Sequence, residues 1–445
     1  MKHLHVFIRG QHAGTLKRDS AGNLSFSYDA TYSGPDLSAA FPFTTGGCLS
    51  DHKVRTWFAG VLPDNADVRA NMSSLGGGGR STYSLLSKYG MDLPGAVQVA
   101  NDEDAADIVN GSGENAYGEI SRGEIAERLE SIMSAESRAW MAARERWSLG
   151  GGQPKLALAR IGESYYECYG RAPSNVIVKP GIRGGRFRHL SLDEAICMTL
   201  AKAVGIPCAD VRMESFEDVD AIVVNRFDRV SIGTGAIERV HQEDLCQALS
   251  VYPDRKYPNE GGPDSAGIME LLKSSSEPQD RMRFFDALVF NHLIAAPDGH
   301  GKNHSLLHLS RGSFRLAPLY DIASVAPYMQ PLNHRGSGNA KREVYRCAMS
   351  VGGENRIGRL RKSCVERFAK LHDMNATLLS ERVELLSSLV IDNLEPAVNT
   401  FSHCPGDDEI GSLLVSRIRV LCETTARNVH VDGKQAKFVN VAEIG

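Results

Sequence analysis

The pattern of apolar and polar residues changes along the chain, from strand-like runs in the first half to helical spacing in the second. His5–Ile8 and Leu24–Tyr28 are short runs of the kind that form strands. Val176–Val178 and Ala221–Val224 are continuous apolar runs, which predict buried strands. From about residue 240 onward, apolar residues recur every three or four positions, which predicts a mainly helical segment.

Several helices have recognisable starting residues. Asp51 is placed to cap a helix that runs toward Phe58. Ser121–Glu124 and Ser191–Glu194 both fit the capping-box pattern, in which a serine and a glutamate satisfy the first backbone N–H groups. A further helix, with apolar residues from Phe284 to Leu293, leads directly into a polar turn.

The same pattern predicts the division of the chain. The acidic stretch Asn101–Tyr117 is typical of a domain boundary or an exposed linker. We therefore expect a small mixed, β-rich subdomain at 1–105, a second β-rich segment at 120–240 and a helical segment at 241–445. A β-rich half followed by a helical half predicts a two-lobed α+β protein. The stretch Pro327–Gly353 is rich in glycine and basic residues and is expected to be a loop, either solvated or facing a substrate or DNA.

Composition narrows the class of protein. The net charge of −4 over 445 residues gives no bulk positive charge for binding nucleic acid. No apolar run approaches the roughly 20 residues that cross a bilayer, and the N-terminus does not resemble a signal peptide. The nine cysteines are scattered and contain no CxxC pair, which favours reduced thiols. We therefore expect a soluble cytoplasmic protein without membrane contact.

The polar segment from Asp298 to Asn303, with Asp321 downstream, carries the strongest chemical pattern. The five positions from Asp298 to Asn303 match the catalytic loop of protein kinases, and Asp321 follows 18 positions later. Phosphoryl transfer requires a carboxylate beside the acceptor hydroxyl and oxygen ligands for magnesium, and these three residues supply both. Asp321 stands in an apolar stretch, where an unpaired carboxylate would be costly. The alternative is a capping Asp-Gly turn, a structural asparagine and a buried aspartate with satisfied hydrogen bonds.

Two other chemistries are disfavoured. An Asp298–His300 hydrolytic dyad lacks the G-x-S-x-G nucleophile motif. A zinc site formed by His292, His300, His304 and His308 is disfavoured because a glycine-containing loop interrupts any common helical face.

Three more features are ambiguous when taken singly. The glycines at 150–152 allow a backbone to approach phosphate closely, but glycine turns are more often hairpins. Lys179 ends an apolar strand, where it either faces a nucleotide or extends its amine to solvent. Glu194 either pairs with Lys179 or closes its capping box.

Taken in order, these motifs resemble the HipA-like serine/threonine kinases, the toxins of bacterial type II toxin–antitoxin pairs. The resemblance extends over most of the chain and implies a protein-kinase-like fold with a mainly helical C-terminal lobe. The blocks that carry it are Phe58–Asp64, Gly95–Val97, Ser148–Lys155, Val176–Lys179, Asn225–Asp228, Gln242–Asp244, Pro297–Asn303 and Leu319–Ile322.

The resemblance implies a role for each matching residue. Asp298 corresponds to the catalytic aspartate, Asn303 and Asp321 to the magnesium ligands, and Ser148 to an autophosphorylated serine that switches the kinase off. The implied ATP-binding residues are Gly150, Gly151, Gly152, Gln153, Pro154, Lys155, Lys179, Asn225, Arg226, Phe227, His300, Gly301, Lys302, Asn303, Tyr320, Asp321 and Ile322. For Ser148 the residues alone also allow a hydroxyl that caps the turn.

The resemblance also implies an activity and partners. The expected reaction is phosphorylation of a protein serine or threonine by ATP and Mg²⁺, with an aminoacyl-tRNA synthetase as the target. A HipB-like helix-turn-helix antitoxin would bind the protein and link it to operator DNA. Two departures, Asn225 in place of an acidic hinge residue and Gly152 in place of a small non-glycine residue, affect no catalytic group. The alternatives are a small-molecule kinase and a non-catalytic subunit of a DNA-bound repressor complex.

Overall fold

A computed structural model describes most of the chain. The described residues are 2–44, 47–49, 51–76, 79–134, 145–182, 184–233, 235–329 and 345–430.

Within these residues the chain forms eighteen β-strands and twelve α-helices. The strands are β1 (Lys2–Ile8), β2 (Gln11–Arg18), β3 (Leu24–Tyr28), β4 (Cys48–Leu49), β5 (Val97–Ala100), β6 (Asn115–Ile120), β7 (Leu156–Ile161), β8 (Ser164–Gly170), β9 (Val176–Pro180), β10 (Val211–Phe216), β11 (Val219–Asn225), β12 (Arg229–Ile232), β13 (Ala236–Arg239), β14 (Gln242–Asp244), β15 (Ser305–Ser310), β16 (Ser313–Leu316), β17 (Arg346–Val351) and β18 (Glu354–Arg356). The helices are α1 (Asp51–Gly60), α2 (Ala66–Gly76), α3 (Thr82–Tyr89), α4 (Asp102–Asn110), α5 (Arg122–Ser134), α6 (Leu190–Ala203), α7 (Leu245–Ala248), α8 (Ser265–Leu271), α9 (Asp280–Leu293), α10 (Lys362–Leu371), α11 (Ala376–Asn399) and α12 (Asp407–His430).

The chain folds into two compact units, and each unit is assembled from separate stretches of sequence. The first unit comprises Met1–Pro180, Glu214–Lys256 and Ser305–Ala317. The second unit comprises Gly181–Met213, Tyr257–His304 and Pro318–Gly445. These units interleave along the sequence, whereas the division into 1–105, 120–240 and 241–445 assigns consecutive segments and stays a prediction.

An antiparallel five-stranded sheet begins the first unit, with the strand order β4-β3-β2-β1-β5. Its inward side chains include Val6 and Phe26, both fully buried, and α1 packs against β3. Trp57 and Phe58 of α1 are completely buried in the same core, which explains why an otherwise polar helix is held there. The sequence pattern does not predict strand β2, because five of its eight residues are polar or charged and its pairing with β1 is not visible in the sequence.

A six-stranded sheet completes the larger part of the first unit, with the order β10-β11-β9-β7-β8-β6. Strand β9 pairs with β11 along one edge and with β7 along the other. Its residues Val176 and Val178 are buried, as their apolar pattern predicts. Lys179 is opposite Ile222 in this ladder, near the end of the strand. Because β9 is paired on both edges, the backbone of Lys179 is held in place within the sheet.

The predicted linker at Asn101–Tyr117 is wrong. The stretch contains α4 and the first half of β6. The side chain of Asn101 caps α4 by accepting a hydrogen bond from the Asp104 N–H, and three acidic residues in the first turn favourably face the positive end of the helix. Strand β6 pairs with β8, which lies about 50 residues later in the chain. The acidic residues belong to the first turn of a helix. By composition alone, such a turn cannot be distinguished from an exposed linker.

The second unit is mainly helical. The long helix α11 packs against α6, α9, α10 and α12. Helix α9 buries the apolar residues that the periodicity assigned to it, including Phe284, Phe285 and Leu288. The helix ends at Leu293, shortly before the polar turn that carries Asp298 and Asn303. The position of this turn therefore depends on where the helix ends.

Smaller predictions have mixed outcomes. The capping box at Ser121 is confirmed, since the Glu124 carboxylate accepts from the Ser121 N–H at 2.9 Å and the Ser121 hydroxyl accepts from the Glu124 N–H at 3.2 Å. Of the predicted loop Pro327–Gly353, residues 330–344 lie outside the described residues, and Arg346–Val351 forms a strand instead. All nine cysteines are free thiols, as their scatter predicts. Among the described residues no helix has the length and apolar character needed to span a bilayer.

Candidate active site

The turn that follows α9 presents Asp298 to solvent. Its side chain is 55% exposed. The His300 N–H donates to the Asp298 carbonyl at 2.7 Å, and the Asn303 N–H donates to the His300 carbonyl at 2.9 Å. These two bonds make a tight turn that ends in a single 3-10 turn over Gly301–Asn303. The backbone therefore fixes the position from which the Asp298 side chain leaves the turn.

Gly299 is required by the close approach of a neighbouring side chain. A Cβ atom at this position would lie 2.4 Å from the Asn291 amide nitrogen, well inside van der Waals contact. Asn291 is buried on α9, so its amide would have to shift within a packed environment. The Asp-Gly sequence thus lets the turn pack directly on the helix that precedes it.

Asn303 uses one end of its amide within the turn. Its side-chain nitrogen donates to the Asp298 carbonyl at 2.7 Å. This bond directs the remaining amide oxygen away from the turn, as a metal ligand would require. The asparagine is buried, so its orientation is well defined.

The residues that lead into Asp321 are held by hydrogen bonds to two other segments. The Leu319 N–H donates to the Pro207 carbonyl and the Ala209 N–H donates to the Leu319 carbonyl, both at 2.8 Å. The Tyr320 hydroxyl donates to the Lys302 carbonyl at 2.7 Å, which ties this segment to the turn carrying Asp298. Asp321 itself has a φ of +60°, a conformation that side-chain-bearing residues rarely adopt and that is often retained at functional sites.

The environment expected for Asp321 is wrong in one respect. Leu319 and Ile322 are buried, as the apolar stretch predicts, but Asp321 is exposed. The left-handed backbone turns its side chain away from the apolar surroundings of its neighbours. The alternative of a buried, satisfied structural aspartate is therefore excluded.

Asp298, Asn303 and Asp321 line one pocket, which we call the acidic pocket. Its cavity is about 20 Å³, enough for one water-sized group. Its polar lining offers carboxylate and amide oxygens, the donors that Mg²⁺ prefers. The residues present therefore fit a hard divalent cation.

The remaining predicted residues of the turn have different positions. Ile322 also lines the acidic pocket, whereas His300 and Lys302 are buried behind the turn. The His300 Nε2 atom lies 3.9 Å from Asp298 Oδ1, beyond hydrogen-bond distance. The backbone of Gly301 belongs to the 3-10 turn.

The four histidines considered for a zinc site have different surroundings in the structure. His308 belongs to the first unit, where its Nε2 atom lies 2.9 Å from a Glu243 carboxylate oxygen. Burial lowers the pKa of His292 and the pKa of His304 to about 4, so both rings are neutral near pH 7. His304 lines the acidic pocket with its ring packed edge-on against Phe284. Within the described part of the chain, the His, Cys, Asp and Glu side chains that converge in a group of three are His3, His5 and Asp102, not this histidine series.

One residue of this site was missed by the sequence analysis. The hydroxyl of Tyr257 donates a 2.5 Å hydrogen bond to Asp298 Oδ1. Tyr257 lies in a Pro/Gly-rich loop 41 positions before Asp298, and no periodicity connects the two. Only its place between lysine and proline in a turn-forming stretch set it apart in the sequence.

In the first unit, the glycine loop is bound to the segment that follows α1. The Asp64 N–H donates to the Gly151 carbonyl at 3.0 Å, and the Lys155 amine donates to the Gly150 carbonyl at 2.9 Å. Gly151 has a φ of +100°, which glycine adopts without strain. Since these carbonyls are occupied, the loop is held in one conformation, with Gly152 and Gln153 on its outer side.

Ser148 is completely buried at the start of this loop. Its hydroxyl donates to the Val61 carbonyl at 3.1 Å, and its N–H donates to the Asp92 carbonyl at 3.0 Å. The hydroxyl therefore joins the loop to another segment and does not cap its own turn. A phosphate group has no space in this arrangement.

Lys179 and Glu194 are both buried, and each lies in a different unit. Lys179 is only 6% exposed, so the alternative of a lysine reaching into solvent is excluded. The capping role of Glu194 is wrong. Helix α6 starts at Leu190, its N-cap is His189, and its first turn is closed by the Asp193 N–H bonding to the His189 carbonyl. The pairing of Lys179 with Glu194 stays a prediction.

The segment expected to bind adenine contains one side chain with a structural role. The Arg226 guanidinium donates to the Asp228 carboxylate at 2.9 and 3.0 Å, to Ser174 Oγ at 2.8 Å and to the Leu93 carbonyl at 3.0 Å. It is buried, so its side chain is not available to a nucleotide. Asn225 is exposed at the end of β11 and Phe227 is half-buried. Any contact of Arg226 with adenine would be limited to its backbone.

Comparison with known proteins identifies the family. A family model described as the HipA-like C-terminal domain matches residues 147–394, and another described as the HipA N-terminal domain matches residues 4–100. The chain is 32% identical to the protein named "Putative kinase Y4mE" of Sinorhizobium fredii, over 73% of this chain and 78% of that protein. It is 29% identical to the serine/threonine-protein kinase toxin HipA of Shewanella oneidensis, over 71% and 73% of the two chains.

A solved structure agrees with the fold. The HipA toxin–antitoxin complex of Shewanella oneidensis with HipB and operator DNA contains a chain that matches at a TM-score of 0.80 and 22% identity. The match covers 96% of this chain and 98% of that chain, which confirms the predicted kinase-like α+β fold. Since one family model matches more than half of the sequence and a relative above 30% identity is matched over most of its length, the chain belongs to the family of HipA-like kinases.

Proposed function

We propose that this protein is an ATP-dependent serine/threonine protein kinase and the toxin of a type II toxin–antitoxin pair. The observation that carries the proposal is the acidic pocket, in which Asp298, Asn303 and Asp321 converge although Asp321 comes from a separate segment. A structural turn would not need two solvent-facing carboxylates beside an oriented amide. Phosphoryl transfer does need them.

In the proposed reaction, Asp298 accepts the proton of a serine or threonine hydroxyl as that oxygen bonds to the γ-phosphorus of ATP. The bond from the γ-phosphorus to the β–γ bridging oxygen breaks, and ADP leaves with that electron pair. The fixed turn holds the carboxylate where the acceptor arrives, so catalysis consists mainly of positioning.

Asn303 and Asp321 are the proposed ligands of Mg²⁺. When bound, the cation neutralises charge on the phosphate oxygens during transfer. The hydrogen bond from the Asn303 amide to the Asp298 carbonyl keeps its oxygen available for this purpose. His300, Gly301, Lys302, Tyr320 and Ile322 are proposed to flank the phosphates and the metal, with Tyr320 also bracing Lys302.

The first unit is proposed to bind the nucleotide. Lys179 contacts the phosphates, and the loop Gly150–Lys155 covers them. Asn225–Phe227 binds adenine, with Arg226 contributing only its backbone. The burial of Lys179 supports this role, because a desolvated ammonium is stabilised by a phosphate partner.

Ser148 is the proposed site of autophosphorylation. A phosphate adds a charge near −2 to a hydroxyl that is buried and bonded to the Val61 carbonyl, a site where a dianion would be desolvated. Phosphorylation would therefore expel the loop and disfavour ATP. The same burial implies that the loop leaves its present position before Ser148 is modified.

The proposed partners follow from the family. The protein substrate is an aminoacyl-tRNA synthetase, and a HipB-like antitoxin binds the kinase and carries it to operator DNA. The complex of the Shewanella oneidensis HipA with HipB and operator DNA supports the assignment of the antitoxin and the DNA, while the synthetase is proposed from the family resemblance alone. Phosphorylation of the synthetase would stop translation.

The test is a phosphoproteome recorded after brief expression of the protein, compared with Asp298→Asn. Enrichment of a synthetase serine or threonine phosphosite in the active protein alone is the expected result. Label that passes from ATP only to small metabolites would indicate the small-molecule kinase. An absence of ATP binding by the purified protein would instead favour a non-catalytic subunit.

A further inference from the structure

The catalytic aspartate has a neighbour whose role is not explained by the fold alone. The Tyr257 hydroxyl donates to Asp298 Oδ1 at 2.5 Å. Asp298 is otherwise largely exposed, so this bond is the side-chain contact that restrains it. With Oδ1 engaged by the phenol, Oδ2 is the oxygen that this contact leaves to face an arriving hydroxyl.

The phenol ring is itself held in place. It packs edge-on against the His300 ring, with centroids 4.9 Å apart and planes at 82°. His300 is buried and belongs to the same turn as Asp298. Tyr257 therefore contacts two residues of that turn, one through its hydroxyl and the other through its ring.

The loop that carries Tyr257 is rigid at this residue. The Tyr257 carbonyl accepts the N–H groups of both Glu260 and Gly262 at 2.9 Å. Pro258 opens a short 3-10 turn, and Gly261 ends it with a φ of +86°. A tyrosine anchored by two backbone bonds is suited to holding another side chain, because little conformational entropy remains to be lost.

The phenol also keeps its proton. Burial, and then the hydrogen bond and charge of Asp298, raise the pKa of Tyr257 above its ordinary value of 10.0. The hydroxyl is therefore a donor throughout the neutral range and does not compete with Asp298 as a base.

We infer that Tyr257 is a positioning residue for phosphoryl transfer, one that orients the Asp298 carboxylate so that Oδ2 receives the proton of the acceptor hydroxyl. The inference rests on the proposed kinase function. Tyr257 touches neither ATP nor the transferred phosphoryl group in this role, and its own proton stays on the phenol.

The experiment compares Tyr257→Phe with the wild type in steady-state transfer of phosphate from ATP to a protein acceptor. The variant keeps the ring that packs on His300 and loses only the hydroxyl. We expect kcat to fall about tenfold, since one hydrogen bond to a charged group is removed. The KM for Mg-ATP should not change, and neither should the melting temperature. Tyr252→Phe, on the same loop, is the matched control and should retain the wild-type kcat.

Other outcomes separate the two hypotheses. If the wild type transfers phosphate and Tyr257→Phe has the same kcat, the positioning role is refuted while the kinase function stands. A higher kcat in the variant would also refute it, because Tyr257 would then be blocking the acceptor position. If kcat and ATP affinity fall together with the melting temperature, the tyrosine is only structural. A wild type without transfer activity would refute the kinase function itself.

Discussion

Two groups of charged and polar side chains in this protein have opposite designs, one closed and one open. The closed group, which we call the arginine cluster, consists of Asp92, Arg226, Asp228 and Arg229 in the first unit. All four are buried, and each carboxylate bonds to both arginines, with Arg229 at 2.8 Å from Asp92 and 3.0 Å from Asp228. Although burial alone would raise it, Arg229 and Arg226 hold the pKa of Asp92 well below its ordinary value.

The open group is the acidic pocket. Asp298 and Asp321 are exposed, and the backbone of Asp321 is in a conformation that costs energy. Of the three residues only Asn303 is buried, and its amide nitrogen donates a hydrogen bond to the Asp298 carbonyl in the turn. The difference teaches that charge alone does not mark a functional site. Carboxylates that are satisfied by cations within the fold stabilise it, while carboxylates left facing a cavity are available to a ligand.

Asp298→Asn should produce the largest effect and test the open group. We expect phosphate transfer to fall by about 10³-fold, because the base that receives the acceptor proton is lost. The fold should be unaffected, since the exposed carboxylate supports little else. Transfer of radiolabel from ATP and thermal unfolding measure the two effects separately.

The control for this prediction is Asp392→Asn, which removes an exposed carboxylate from α11 and should leave transfer unchanged. If Asp298→Asn transferred phosphate at the wild-type rate, the acidic pocket would have no catalytic carboxylate to distinguish it from the arginine cluster.

Arg226→Ala should produce the converse result and test the closed group. Removing this arginine leaves Asp92 and Asp228 with one arginine partner fewer inside the protein. We expect the free energy of unfolding to fall by about 3 kcal/mol, measured by urea denaturation. Arg419→Ala, which breaks an exposed pair with Glu395, should cost less than about 1 kcal/mol. Equal losses in the two variants would mean that burial does not distinguish them.

The same contrast explains which features could be predicted from the sequence. The spacing of Asp298, Asn303 and Asp321 is local enough to be visible, and so is the continuous apolar pattern of β9. Arg226 was assigned to adenine by resemblance alone, because its partner Asp92 lies 134 positions away and no sequence pattern connects them.

The sequence does not predict the contact of Tyr257 with Asp298, nor the residue at which α6 begins, and the two failures have the same cause. The bond between Tyr257 and Asp298 depends on a loop conformation that periodicity does not describe. The Ser191 capping box fits the local pattern, yet α6 begins one residue earlier, at Leu190. Local preferences compete with tertiary packing, and packing decides such positions.

Asp193 differs from both groups of side chains, because it is buried and has no cationic partner among the described residues. Its Oδ1 atom accepts from the Ser324 N–H at 3.2 Å, and burial raises the pKa of Asp193 to about 8. Between pH 4 and this value the folded state holds a proton that the unfolded state releases, so the free energy of unfolding falls as the pH rises.

Replacing this residue with asparagine, in Asp193→Asn, should remove that pH dependence. We expect the wild type to lose on the order of 2 kcal/mol of stability at this site between pH 5 and pH 8, whereas the variant loses less. Urea midpoints recorded at the two pH values measure the difference. Parallel curves for the two proteins would contradict the burial of an uncompensated carboxyl group.

Ser148→Ala should have the smallest effect on stability and a selective effect on regulation. The variant loses one buried hydrogen bond, from the hydroxyl to the Val61 carbonyl, which costs about 1 kcal/mol. ATP binding should persist, because the hydroxyl belongs to neither group and is proposed only as a phosphate acceptor. Self-inactivation during incubation with ATP should disappear. Phosphopeptide mapping of the wild type decides the interpretation, since a major autophosphate on another residue would make Ser148 a purely structural link between the loop and the segment after α1.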